Sequence, residues 1–168
     1  MRKDIEILVY PTRIIKRETE APFGKDCAAI ICTSYVSRME IYRNFENCLV
    51  MGFDSIEDET YSNAFKPEHA EMIKSFVDNL DPRVKKLYVL TDRAVTRGQA
   101  IKAALLLYQF GRNRDLCIWR NPEYNPNTLV FKVLCRCFGI RFVEIKTRIR
   151  KRIKIHALHK AVKGNKQG

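Results

Sequence analysis

Thr91-Asp92-Arg93-Ala94-Val95-Thr96-Arg97 is where the chain concentrates groups that could do chemistry together. The segment follows a compact apolar run, Lys85 to Leu90 (KKLYVL), and precedes GQAIKAALLLYQF, Gly98 to Phe110, which is apolar on more than one face. Strand, short loop and buried helix in that order form the place where an open α/β sheet holds ligands, at the carboxyl ends of its strands. The first turn of such a helix offers unpaired N–H groups and a partial positive charge, which suit an oxyanion. Arg97 stands where the helix begins, and a guanidinium beside backbone N–H groups holds phosphate bidentately. Thr91, Asp92, Arg93, Ala94, Val95, Thr96 and Arg97 are therefore the expected phosphate-binding set.

The elements that must position this loop are legible on both sides. Ile5 to Tyr10 reads as a first strand, Cys27 to Thr33 as a second and Cys48 to Phe53 as a third. The second is a continuous apolar run suited to a buried sheet. Pro67 opens a helix, since proline is tolerated in the first turn. Ala70, Ile73, Val77 and Leu80 fall on one face of it, and Asp81-Pro82 ends it. Gly111, Asn113 and NPEYNPN mark a break, in which Tyr124 reads as turn and packing. Thr128 to Phe138 is a further helix, with Gly139 as its C-cap. The alternation predicts an α/β fold, a three-layer sandwich with a mainly parallel central sheet flanked by helices. That domain spans residues 1–142, and 143–168 form a basic C-terminal extension.

In this frame the chain resembles the cysteine-dependent protein tyrosine and dual-specificity phosphatases, in particular a small group of predicted bacterial phosphatases. Their signature is a strand, His-Cys-x5-Arg-Ser/Thr, and a buried helix. With Arg97 at the signature arginine, Thr91 falls at the nucleophile, Leu90 at the histidine, Ala94 at the usual glycine and Gly98 at the hydroxyl residue. Upstream, MGFDSIEDE and FKPEHAEMIKSF are similar to the family's acidic segment and the helix after it. Downstream, NPNTLVFKVL is similar to its Pro-Asn-x-x-Val/Leu closing helix. The resemblance covers residues 1–139 and implies a phosphatase-like fold with a phosphate-binding loop. It also implies a general acid upstream, for which Asp54 and Asp58 are the candidates and Glu57 a third.

The departures decide what chemistry to expect. The family's reaction needs a thiolate that attacks phosphorus, and a helix N-terminus with cationic neighbours can supply one by lowering a cysteine pKa to about 3.5–7.5. A threonine hydroxyl is a far weaker acid and stays protonated in the same place. The three histidines, His69, His156 and His159, are remote in sequence, and all six cysteines lie outside the loop. The expectation is a pseudophosphatase: a catalytically impaired domain that binds a phosphate-bearing or other anionic ligand, with no cofactor. In Ala94 a residue that resists positive φ replaces glycine, so the loop is expected to be distorted and its pocket partly closed.

The formal charge of +12 is uneven. Residues 141–168 carry ten Lys or Arg against Glu144, which is +9 and leaves +3 for the rest. The tail supports an alternative, a nucleic-acid-binding protein acting through Arg148, Arg150, Lys151, Arg152 and Lys154 by phosphate-backbone contacts. Its apolar residues recur every four positions, as in a helix, while RIRKRIKI also alternates as a strand does. It has no aromatics to stack single-stranded bases. A third reading is a protein-interaction scaffold with no ligand. The six cysteines, Cys27, Cys32, Cys48, Cys117, Cys135 and Cys137, are scattered through apolar runs. Free thiols in a reducing, cytoplasmic setting account for them, and no metal site is expected from their spacing. The longest apolar stretch falls far short of a membrane span of about 20 residues, and no signal peptide is expected from the start of the chain.

Overall fold

The structure, a computed structural model, describes residues 1–12, 24–34, 45–111, 113–141 and 145–146. Among them one sheet is built from β1 (Glu6–Pro11), β2 (Cys27–Thr33), β3 (Asn47–Gly52) and β4 (Lys86–Thr91). The order is β1-β4-β2-β3, and every neighbouring pair is parallel. The helices are α1 (Pro67–Asp78), α2 (Gln99–Phe110), α3 (Leu116–Arg120) and α4 (Thr128–Cys137). The chain is thus an α/β protein with a parallel central sheet, in line with the three-layer sandwich expected of it.

The strand sequences explain why the sheet is central. β2 is buried along its whole length. Its Ala28, Ile30 and Cys32 join Leu87 and Val89 of β4 in the main core. Its Cys27, Ala29 and Ile31 join Leu90 and Phe45 in a second core on the opposite side. A strand that is apolar at every position is the signature of a sheet covered on both faces. Helices α1, α2 and α4 bring Ala70, Ile73, Ile101, Leu105, Val130 and Leu134 to the main core. There α4 lies against both α1 and α2, and α2 lies over β1.

Element ends follow local chemistry. Gly139 has φ 69° after α4, and its N–H and that of Ile140 return to the carbonyls of Arg136 and Cys135 at 3.0 and 2.9 Å. Glycine adopts this left-handed cap without the Cβ penalty. Within the break expected after Gly111, Leu116–Arg120 is helical and buries Trp119 edge-on against Phe131, ring centroids 4.8 Å apart. Five residues are too short to show a helical period, so this element left no pattern to read.

Ile145, in the segment assigned to the C-terminal extension, is 2% exposed and part of the main core. No helix among the described residues is long and apolar enough to cross a membrane. None of the six cysteines forms a disulfide, and Cys27, Cys32 and Cys135 are buried.

Candidate functional site: a buried arginine at a strand–helix junction

Strand β4 runs between β1 and β2, so its carboxyl end is flanked on both sides. Thr91 pairs in register with Pro11 and with Cys32. The chain turns at Asp92 and Arg93, and Ala94–Gly98 then winds as a π-helical turn that runs into α2. The wider turn is held by bonds from the Gly98 N–H to the Arg93 carbonyl (3.3 Å) and from the Gln99 N–H to the Ala94 carbonyl. Such turns are uncommon and recur at functional sites. Ala94 does not take up a left-handed conformation. Asn113 is the non-glycine residue with positive φ among those described.

Arg97 is fully buried. Its Nε donates to Thr91 Oγ1 at 2.6 Å, and its Nη1 donates to the Phe53 carbonyl. Nη2 has no well-aligned hydrogen bond and is met instead by Asp92 Oδ1 as an ion pair. The guanidinium carbon lies 5.2 Å from the centroid of the Phe53 ring, a cation–π distance. Burial pulls the Arg97 pKa below its ordinary value, against the fields of Cys32 and Asp54. An arginine so placed remains a cation at neutral pH.

The Thr91 hydroxyl is committed to structure. It accepts from Arg97 Nε and from the Arg93 N–H (3.2 Å), and its O–H points to Asp92 Oδ1 at 3.4 Å. That is a strand-end hydroxyl tying down the next turn. Cys32, one strand over at the same level, is also fully buried, and burial pushes its thiol up to about 12 despite the Arg97 charge. It is not a thiolate near neutrality.

The upstream acids divide. Asp54 acts electrostatically on Arg97 and accepts from the Asn63 side chain. Glu57 accepts from the Thr128 N–H at 2.7 Å, at the amino end of α4 where a carboxylate is favoured. Asp58 accepts from the Thr60 N–H and hydroxyl, and these bonds hold it below the usual carboxylate range. His69 takes the Lys66 N–H on its Nδ1 and stacks on Phe53, so it serves the start of α1.

One residue that the sequence reading left out of the site turns out to hold it together. Asn127 is 2% exposed. Its Oδ1 caps α4 through the Val130 N–H (2.9 Å), its Nδ2 donates to the Ile56 carbonyl (3.3 Å), and its N–H donates to the Thr96 carbonyl (3.3 Å). Ser55 and Thr96 join the same seam through their hydroxyls at 3.0 Å. The only sequence signal was the Pro-Asn that opens the last helix.

In front of Asp92 lies a recess of about 300 Å³ lined by Pro11, Thr12, Asp92, Arg93, Ala94 and Val95. Arg97 sits behind Asp92 and does not line the wall. Of the seven loop residues expected to bind phosphate, Asp92, Arg93, Ala94 and Val95 thus face the recess, Thr91 and Arg97 are buried behind it, and Thr96 is engaged with Ser55. The basic residues Arg148, Arg150, Lys151, Arg152 and Lys154, with His156 and His159, lie outside the described residues.

Comparison with family models, with curated proteins and with solved structures finds no match for this chain.

Proposed function

We propose that this chain is a non-hydrolysing, phosphatase-like domain, a pseudophosphatase, that binds an anionic ligand at the 91–97 loop. One observation carries the reading: the buried Arg97 guanidinium has two nitrogens fixed by neutral oxygens and a third facing Asp92, whose side chain is 41% exposed. A buried cation needs a counter-charge, and leaving it unpaired costs several kcal/mol. Asp92 supplies that charge in the unliganded protein. A ligand anion entering by the recess takes over the same role. Hydrolysis by the covalent route is not part of the proposal, because the Thr91 oxygen is spent on Arg97 and Arg93.

The test is titration of the chain with phosphate, sulfate and a simple carboxylate, reading heat or an amide spectrum. Asp92→Asn removes the internal competitor and is expected to tighten anion binding at least tenfold. Arg97→Ala is expected to lose it. Equal weak binding by the wild type and Asp92→Asn overturns the proposal. An aryl phosphate is expected to show no turnover, and hydrolysis that Thr91→Ala abolishes would overturn that part.

The closure of the loop by Asp92 also favours a second reading, a protein-interaction scaffold that holds no ligand there. In that case Asp92→Asn gains no anion affinity at all.

A further inference from the structure

We infer that the anion this loop is shaped for is a carboxylate rather than a phosphate, with Asp92 as its internal stand-in. The inference rests on the proposal that the loop binds an anion, and it names the ligand's chemistry. Arginine recognises phosphate through a fork, with two parallel N–H groups on one edge of the guanidinium. The side edge of Arg97 consists of Nε and Nη2, and the end edge of Nη1 and Nη2. Nε is held by Thr91 Oγ1 and Nη1 by the Phe53 carbonyl. Each edge has therefore lost one member to a neutral oxygen. What both edges still offer is Nη2, and it faces a single oxygen, Asp92 Oδ1.

The backbone points the same way. A phosphate cradle needs several converging N–H groups. Here the N–H groups of Arg93, Thr96 and Gly98 are turned inward, to Thr91 Oγ1 and, twice, to the Arg93 carbonyl. The π-helical turn thus takes up three of the loop's N–H groups, which leaves fewer for a tetrahedral anion. A flat carboxylate asks for less. One oxygen meets Nη2, and the other reaches outward, as Asp92 Oδ2 does to Ser34 Oγ at 3.5 Å. The recess leading to this point is walled by Pro11, Ala94 and Val95, with Thr12 and Arg93 on its polar side. Apolar methylenes behind a single carboxylate head suit that mixture.

The experiment uses the full chain carrying Asp92→Ala, which empties the stand-in's place. The readouts are the Arg97 Nε–H resonance and the thermal midpoint. Sodium acetate, sodium phosphate and sodium chloride are compared at matched ionic strength. Acetate is expected to shift the resonance saturably and to raise the midpoint, with phosphate no better than chloride. The wild type, with Asp92 in place, is expected to need at least ten times more acetate. A capped pentapeptide with one central aspartate distinguishes the sources. Saturation at a tenth of the acetate concentration assigns a partner chain, and equal concentrations assign a free small acid. Phosphate saturating below acetate overturns the carboxylate inference and leaves anion binding standing, whereas no response beyond chloride overturns both. If Asp92→Ala does not fold, the near-isosteric Asp92→Asn is put through the same comparison.

Discussion

The methyl group of Thr91 occupies the space in which a side chain at position 98 would begin. A Cβ on Gly98 would lie 2.9 Å from Thr91 Cγ2 and 2.7 Å from Val9 Cγ1. Threonine at position 91 and glycine at position 98 are thus one packing solution. Gly98→Ala is expected to cost about 1–3 kcal/mol of stability, the usual range for overpacking, measured by urea unfolding. Thr91→Ser in the same chain removes the methyl, keeps the hydroxyl and is expected to recover part of that loss. If the two changes simply add, the contact is not what requires glycine here.

The Thr91 oxygen is the acceptor for one nitrogen of a buried cation and for a loop amide. Thr91→Val keeps the shape and deletes that acceptor. Its expected cost is about 3 kcal/mol, because a buried charged donor is left unpaired. Thr91→Ser should cost under about 1 kcal/mol, since one exposed-to-core methyl is worth roughly 0.8 kcal/mol. Unfolding curves of the two variants measure the difference. Equal losses would assign Thr91 a packing role alone.

How much of this was legible beforehand differs between backbone and site. The strands are found within about a residue of their expected ends, because their apolar runs are short, dense and flanked by breakers. Helix α1 stops at Asp78, three residues before Asp81, with Asn79 as its C-cap. The loop's location was readable, since Arg97 does stand at the strand–helix junction. Its conformation was not. A π turn has no sequence period of its own, and whether a guanidinium faces solvent or core depends on partners such as Phe53, which lies forty-four residues away. Asp92 stands in the expected phosphate-binding set, and its pairing with Arg97 is a tertiary fact. Asn127 lies just before the last expected helix and proves to join three segments.

That seam can be tested apart from any ligand. Asn127→Ala deletes the α4 cap and strands the Ile56 carbonyl contact. Loss of the cap alone costs about 1 kcal/mol, up to about 2, and the buried donor bonds add to it. Asn127→Asp keeps the capping acceptor and is expected to lose less stability than Asn127→Ala. Hydrogen exchange should locate the effect, with faster exchange at Thr96, Gly98 and Val130 in Asn127→Ala. Unchanged exchange at Thr96 and Gly98 would show that Asn127 serves α4 and leaves the loop alone.

Asp78 offers a pH test remote from the site. It accepts from Lys74 Nζ (2.8 Å), from the Met1 amino group (3.1 Å) and from the Tyr108 hydroxyl (2.9 Å). Burial alone pushes its carboxyl up, and these hydrogen bonds outweigh burial and hold it below the usual value. A depressed carboxylate pKa stabilises the fold above the unfolded value of about 3.9, and that contribution is lost as pH falls through the lower folded value. Asp78→Asn should therefore be less stable than the wild type at pH 6–7, with the gap closing below about pH 4. The side chain is 29% exposed, so screening limits the gap to about 1 kcal/mol. Salt at about 0.5 M should narrow it further. Urea melts at several pH values measure this directly, and a gap independent of pH and salt would assign the loss to hydrogen-bond shape instead of charge.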